Sequence, residues 1–114
     1  MDHDLMSIQE ARDLAVAARA AQKQFLHASQ ADVDRICAAM AEAAHAAAER
    51  LGRMATEETG FGVPQHKTLK NVLASSILWD SIKDVPTVGV VGCDPGKKTR
   101  DIAWPMGVVA GVTP

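Results

Sequence analysis

Apolar residues recur at helical spacing in the first part of the chain, from Ser7 to about Leu26. Most of them fall on one face of the predicted helix, whereas the charged residues lie largely away from it, so we expect that face to be buried. The segment from Ser7 to Glu10 has the composition of a capping box, which predicts that the helix begins at Ser7. The apolar positions are Ile8, Ala11, Leu14, Ala15, Ala18 and Phe25.

A second helix is predicted to begin at another start signal, residues 29–32. Apolar residues then recur at helical spacing through an alanine-rich stretch as far as Leu51. The helical pattern continues to Thr59, with a break expected at Gly52. Gly60 follows at the position where a left-handed C-terminal cap is expected. The region therefore predicts two closely connected helical segments.

The pattern changes from helical to strand-like near residue 85. A third long helix is predicted over residues 64–83, with a proline tolerated in its first turn. Residues 87–91 are then rich in β-branched side chains, residues 93–96 have turn composition, and residues 99–104 can return as an antiparallel strand. The helices should therefore be followed by a β-hairpin.

The last apolar stretch, residues 106–112, is short and continuously apolar. This pattern is typical of a strand covered on both faces, as in a parallel sheet, and such a strand needs neighbours that a hairpin alone does not supply. We therefore expect the chain to be a piece of a larger α/β fold: a fragment with three to four helices, a β-hairpin and the first strand of a parallel sheet. The expected divisions are residues 1–85, 86–104 and 105–114.

Composition excludes several classes of function. Lysine and arginine number 12 against 14 aspartate and glutamate, a net charge of -2, which argues against nucleic-acid or anionic-membrane binding. The polar N-terminus resembles neither a secretory signal nor a membrane span. Cys37 and Cys93 have no metal-ligand spacing and form no disulfide framework, so a cytoplasmic location is expected. The four histidines are scattered, so no metal site is predicted.

Three short motifs could suggest catalysis or nucleotide binding. Residues 92–99 resemble a phosphate-binding loop, but that loop should lead into a helix, whereas a strand is predicted here. The sequence Gly60-Phe61-Gly62 is half of a dinucleotide fingerprint, but it follows a helix and lacks the third glycine. Ser75 and Ser76 have no histidine nearby in the sequence. We interpret the motifs as a hairpin loop, a helix cap and a solvated helix face, respectively.

Two stretches resemble the CoA-acylating aldehyde dehydrogenases. Residues 58–63 followed by residues 67–71 are similar to the region after the second helix of that family, and the pair Lys70-Asn71 is its most distinctive part. Residues 87–91 and 104–114 resemble the approach to the family's cofactor domain, including Pro105-x-Gly107-Val108. The resemblance covers nearly the whole chain, and its elements follow the same order as in the family. It implies that residues 1–85 are the N-terminal helical segment of the cofactor domain and that 86–104 resemble the oligomerisation arm. Residues 105–114 are then the first strand of the Rossmann-like cofactor-binding sheet in the NAD-binding domain.

The resemblance also implies an activity for the full-length enzyme. In the family, a cysteine thiolate attacks the aldehyde, a hydride passes to NAD, and the resulting thioester is transferred to CoA. The nucleophilic cysteine lies beyond the equivalent of this chain, so no catalytic residue is assigned and the chain alone is expected to be inactive and not to bind these cofactors. Val112, Thr113 and Pro114 match the strand end that lines the nicotinamide cofactor. A small aldehyde, such as acetaldehyde or sulfoacetaldehyde, and a homo-oligomer are implied for the full-length protein.

Two alternatives remain from the sequence. The chain could belong to a hydrolytic aldehyde dehydrogenase, because the residues that separate the two branches follow Pro114. It could instead be a stand-alone helical interaction module whose β tail docks by strand addition, without catalysis. The module should be monodisperse and unfold cooperatively, whereas a fragment should expose apolar strands and associate.

Overall fold

A computed structural model describes residues 2–112 of the chain. The order of elements is helices followed by a hairpin, as predicted, and the fold class is α/β. The elements are α1 (His3–Phe25), α2 (Gln30–Ala46), α3 (Ala48–Thr59), α4 (Pro64–Val72), a π-helical turn (Leu73–Ile77), α5 (Leu78–Ile82), β1 (Gly89–Asp94) and β2 (Thr99–Ala103). Residues 104–112 form neither helix nor strand. No helix among residues 2–112 is both long and apolar enough to cross a membrane.

The first helix differs from the prediction at its start and on its apolar face. It begins at His3, with Asp2 as the N-cap residue. Ser7 lies inside the helix, where its hydroxyl donates to the carbonyl of His3 at 3.1 Å, so the predicted capping box at Ser7 is wrong. The serine hydroxyl bonds one turn back, as it commonly does within helices. The apolar face is also exposed within the described chain, with Leu14 64% accessible, so its predicted burial is wrong here.

The helix start predicted at Ser29 is confirmed, and it takes the form of a capping box. The Ser29 Oγ accepts from the backbone N–H of Asp32 at 3.1 Å, and the Asp32 carboxylate accepts from the N–H of Ser29 at 3.3 Å. The bonds from the Ser29 side chain and backbone, together with the nearby Arg35 guanidinium, lower the pKa of Asp32 from its ordinary value. The helix therefore begins with reciprocal hydrogen bonds that hold its first turn.

The break between the second and third helices lies at Ala47 and not at Gly52. Gly52 is buried within α3, where it faces α4. An added Cβ at this position would lie 2.7 Å from Thr68 Oγ1, 2.8 Å from Thr68 N and 3.1 Å from Pro64 O. The glycine therefore permits close approach of two helices, and it is not a helix breaker. The sequence pattern did not distinguish these two uses of glycine.

The third predicted helix runs from Pro64 to Ile82, and Pro64 occupies its first turn as expected. It contains a feature that the sequence did not indicate. The residues from Leu73 to Ile77 form a π-helical turn, and the backbone N–H of Leu78 donates to the carbonyl of Leu73, five residues earlier. A π turn contains one residue more per hydrogen-bonded ring than the α-helix, so the helix accommodates an extra residue without ending.

The hairpin pairs β1 with β2 in antiparallel order. Val90 lies opposite Ile102, and a bulge between Val90 and Gly92 shifts the register before Asp94 pairs with Thr99. Lys98 adopts a positive φ of 54° in the turn between the strands. The predicted hairpin is therefore confirmed, and its bulge lies on the first strand.

Two compact units divide the described chain. One contains α1, the hairpin and the segment after it, and the other is the helical unit Ser29–Thr87. In the helical unit, α3 packs against α4, while α2 contacts the π turn and α5. Ala48 is the buried apolar residue at its centre, 3% exposed, and Ser75 is the buried polar residue, 6% exposed. Gly52 is also buried, against α4, so close packing is concentrated between α3 and α4.

Candidate functional site

The predicted cofactor-binding residues lie at the end of the chain. Val112 is 97% exposed, and Thr113 and Pro114 lie outside the described residues. The preceding residues, Met106 and Val109, are 92% and 78% exposed. Strands form by hydrogen bonding to neighbours, and β1 and β2 pair only with each other among the described residues. The predicted strand over residues 106–112 is therefore unpaired in this structure.

The first of the two stretches that carry the family resemblance lies around the connection between α3 and α4. Gly60 caps α3 with a left-handed φ of 68°, and its N–H donates to the carbonyl of Thr56 at 2.8 Å. Gly62 also has a positive φ of 79°. Both dihedral angles are costly for a residue with a Cβ, so the two glycines allow the chain to turn sharply. The interpretation of the glycine pair as a cap and turn is confirmed.

Lys67 and Asn71 fasten α4 to α3. The Lys67 Nζ lies 3.4 Å from both the carbonyl oxygen of Ala55 and the hydroxyl of Thr59, near the C-terminal end of α3. The lysine thus places a positive charge near the C-terminal end of α3, where the helix dipole is negative. At the other end of α3, the Asn71 side-chain amide donates to the carbonyl of Ala48 at 3.0 Å. Both residues therefore hold the helical hairpin together.

The lysine-containing loop between the strands has the geometry of a hairpin turn. The Asp94 carboxylate accepts from the backbone N–H of Lys97 at 3.1 Å, and the Lys97 Nζ lies 3.5 Å from the same carboxylate. β2 follows the loop, where a phosphate-binding loop would lead into a helix. A phosphate-binding loop would offer this backbone N–H to phosphate, whereas here the N–H of Lys97 already donates to the Asp94 carboxylate. The structure thus agrees with the interpretation as a hairpin loop.

One pairing of side chains was missed by the sequence analysis. Ser76 Oγ lies 3.0 Å from His45 Nδ1, although the residues are 31 positions apart in the sequence. Only the packing of α2 against the π turn brings them together, so no local motif could have indicated the pair. Within residues 2–112, no carboxylate hydrogen-bonds to His45, and a nucleophilic serine needs such an oriented base. The pair therefore joins two helices and lacks the remaining parts of a hydrolytic site.

Metal and thiol chemistry have little support among the described residues. Residues 2–112 contain no cluster of three histidine, cysteine, aspartate or glutamate side chains that could hold a metal ion. Cys37 is half-buried in α2, and Cys93 is exposed on β1. The side chains that the structure brings together across the helical unit are those that join its helices.

The same arrangement occurs in known aldehyde dehydrogenases. The acetylating aldehyde dehydrogenase of Geobacillus thermoglucosidasius superposes with a TM-score of 0.79 and 48% identity, over 83% of this chain and 21% of that one. The acetylating succinate-semialdehyde dehydrogenase of Clostridium kluyveri is 37% identical over 90% of this chain and 23% of its own length. The acylating sulfoacetaldehyde dehydrogenase of Cupriavidus necator is 39% identical over 88% of this chain and 21% of its own length. No family model matches the chain.

These similarities define first the class of protein and then the branch of that class. The helices, the helical hairpin and the β-hairpin are those of the N-terminal part of an aldehyde dehydrogenase. The chain belongs to the acylating aldehyde dehydrogenases and matches their N-terminal portion. It spans about a fifth of the length of these relatives, 23% and 21% for the two curated enzymes.

Proposed function

We propose that this chain forms the N-terminal part of an NAD-linked, CoA-acylating aldehyde dehydrogenase of the cytoplasm. The observation that carries the proposal is the identity with acylating relatives over almost the whole chain, 37% across 90% of it in one case. The superposition on an acetylating enzyme at a TM-score of 0.79 supports the same assignment from the fold. The hydrolytic branch has no comparable support among these relatives.

The chain's own residues contribute a scaffold to this function. Gly52, Gly60, Lys67 and Asn71 hold the α3–α4 hairpin in a fixed shape. In the proposal, residues 105–114 lead into the cofactor-binding sheet, so that the end of the chain lies beside the nicotinamide. NAD supplies the hydride acceptor of the complete enzyme, and CoA supplies the acyl acceptor.

Val112, Thr113 and Pro114 remain the proposed cofactor-lining residues. The exposure of Val112 supports the view that the site needs further segments of the enzyme, because a cofactor pocket encloses most of its ligand. We therefore expect the 114-residue chain alone to bind no NAD. Isothermal titration of NAD into the purified chain should give only heats of dilution. A saturable binding isotherm would contradict the proposed incompleteness of the site.

The β-hairpin is proposed to contribute to a homo-oligomer of the complete enzyme. Val90 and Ile102 lie opposite each other on the two strands, and they are 58% and 62% exposed. An exposed cross-strand pair of this kind is better explained by burial against another surface than by contact with water. The substitution Ile102→Lys in the complete enzyme should weaken the oligomer. Size-exclusion chromatography with light scattering should then give a molar mass closer to that of the monomer. Arg100→Lys is the control on the same strand, and an unchanged mass for both variants would contradict this role.

A chimeric enzyme tests the proposed function. Residues 2–112 replace the matching segment of the Geobacillus thermoglucosidasius enzyme, and NADH formation is followed with acetaldehyde, sulfoacetaldehyde and succinate semialdehyde in the presence and absence of CoA. We expect a CoA-dependent rate with at least one aldehyde. The parent enzyme is the positive control. A chimera that folds and assembles like the parent but forms no NADH would count against the proposal.

A further inference from the structure

The π-helical turn places two side chains on the same side of their helix. In a regular α-helix, Asn71 and Ser76 are five positions apart and would point about 140° away from each other. In the structure, both contact the connection between α2 and α3: Asn71 donates to the carbonyl of Ala48, and Ser76 lies 3.0 Å from His45 Nδ1. A π turn bonds residues five apart, so it brings such residues onto a similar face.

The two contacts lie on either side of the break between α2 and α3. His45 is in the last turn of α2, Ala47 is the junction residue, and Ala48 is the first residue of α3. Ala48 is also the buried apolar residue of the helical unit, 3% exposed. Two hydrogen bonds from one rigid helix therefore hold the end of one helix and the start of the next.

Serine hydroxyls support the altered hydrogen bonding of the π turn. Ser75, 6% exposed, donates to the carbonyl of Asn71 at 2.7 Å and lies 3.3 Å from that of Val72. Ser76 lies 3.4 Å from the same Val72 carbonyl. Hydroxyls satisfy backbone carbonyls where the regular ladder is disturbed. The two adjacent serines thus belong to the turn itself. The prediction of a solvated helix face is wrong for Ser75, which is buried.

We propose that the π turn accommodates one extra residue so that Asn71 and Ser76 act as a two-point clamp on the α2–α3 junction, fixing the angle between these helices. The clamp is a conformational device of the helical unit and goes beyond the proposed enzymatic function. The clamp requires that Asn71 and Ser76 face the same side of their helix. Any change that keeps both side chains on one face should preserve the clamp, whereas loss of both side chains should release the junction.

Deletion of Ala74 tests the register directly. Ala74 is exposed within the π turn, and its removal leaves the two clamp residues four positions apart, which also places them on one face of a regular α-helix. We expect the deletion variant to fold with its clamp intact. Asn71→Ala combined with Ser76→Ala should instead lower the melting temperature by roughly 4 to 8 °C for each lost hydrogen bond. Ser81→Ala, which removes only a local bond to Leu78, is the control for the serine change.

The angle between α2 and α3 is measured by pulsed electron paramagnetic resonance on the full 114-residue chain. Spin labels are attached through Ala39→Cys and Glu57→Cys, both exposed positions, after Cys37→Ala and Cys93→Ser. The unaltered clamp, the Ala74 deletion and Ser81→Ala should give one narrow distance distribution. The double variant should broaden it while circular dichroism shows retained helix.

Two results would overturn the clamp. One is a deletion variant that fails to fold or broadens the label distances as much as the double variant does. The other is a double variant with unchanged distances and an unchanged melting temperature. If the double variant does not fold, Ser76→Ala alone provides the same readout, and its distribution must be broader than that of Ser81→Ala.

Discussion

Gly52 provides the sharpest test of the packing between α3 and α4. The substitution Gly52→Ala would normally stabilise a helix interior by about 1 kcal/mol, because glycine is the poorer helix former. Here the added methyl would lie 2.7 Å from Thr68 Oγ1 and 2.8 Å from Thr68 N. The second atom belongs to the backbone, so rotation of a side chain does not relieve the contact. Overpacking of this kind costs roughly 1 to 3 kcal/mol. We therefore expect net destabilisation.

The assay is urea unfolding followed by far-ultraviolet circular dichroism, with the free energy of unfolding obtained by linear extrapolation. Thr68→Ala removes the hydroxyl contact but leaves the backbone nitrogen in place. Combined with Gly52→Ala, it should restore only part of the lost stability. Ala39→Gly, at an exposed position in the middle of α2, is a control for helix propensity and should cost about 1 kcal/mol. An increase in stability from Gly52→Ala would refute the close approach of the two helices.

Three further changes address the helix ends. Gly60→Ala should cost about 1 to 2 kcal/mol because of its left-handed φ of 68°, and Gly60→Asn should cost less, as measured by urea unfolding. Ser29→Ala should cost about 1 kcal/mol through loss of the N-cap, whereas Ser29→Asp should retain most of the stability in the same assay. The lowered pKa of Asp32 means that its contribution is complete above its unfolded pKa of about 3.9 and is lost as the pH falls through the lower folded pKa. Asp32→Asn should therefore flatten the acid side of the stability curve, and an unchanged acid limb would contradict the capping role.

Local signals predicted the parts of the fold that depend on local hydrogen bonds. Ser29 and Asp32 form the capping box because their spacing alone allows the reciprocal bonds. Gly60 caps α3 because few other residues adopt its dihedral angles. The same reasoning misplaced the start of α1 at Ser7, since a serine within a helix can bond the preceding turn equally well.

Features that depend on tertiary contacts were not predictable from the chain pattern. The break at Ala47, the close approach at Gly52 and the π turn depend on how α2, α3 and α4 pack. The contact between His45 and Ser76 likewise joins residues 31 positions apart. For the candidate site, the family resemblance assigned the end of the chain to the cofactor, and this remains a prediction. The exposure of Val112 shows that the described residues do not enclose it.

The central claim is that this chain supplies the N-terminal scaffold of an acylating aldehyde dehydrogenase. The most direct measurement is the product formed by the chimera that carries residues 2–112, identified by mass spectrometry after incubation with aldehyde, NAD and CoA. The account predicts an acyl-CoA thioester formed in proportion to NADH, with little free acid. A chimera that folds and assembles like the parent enzyme but forms no acyl-CoA would contradict it.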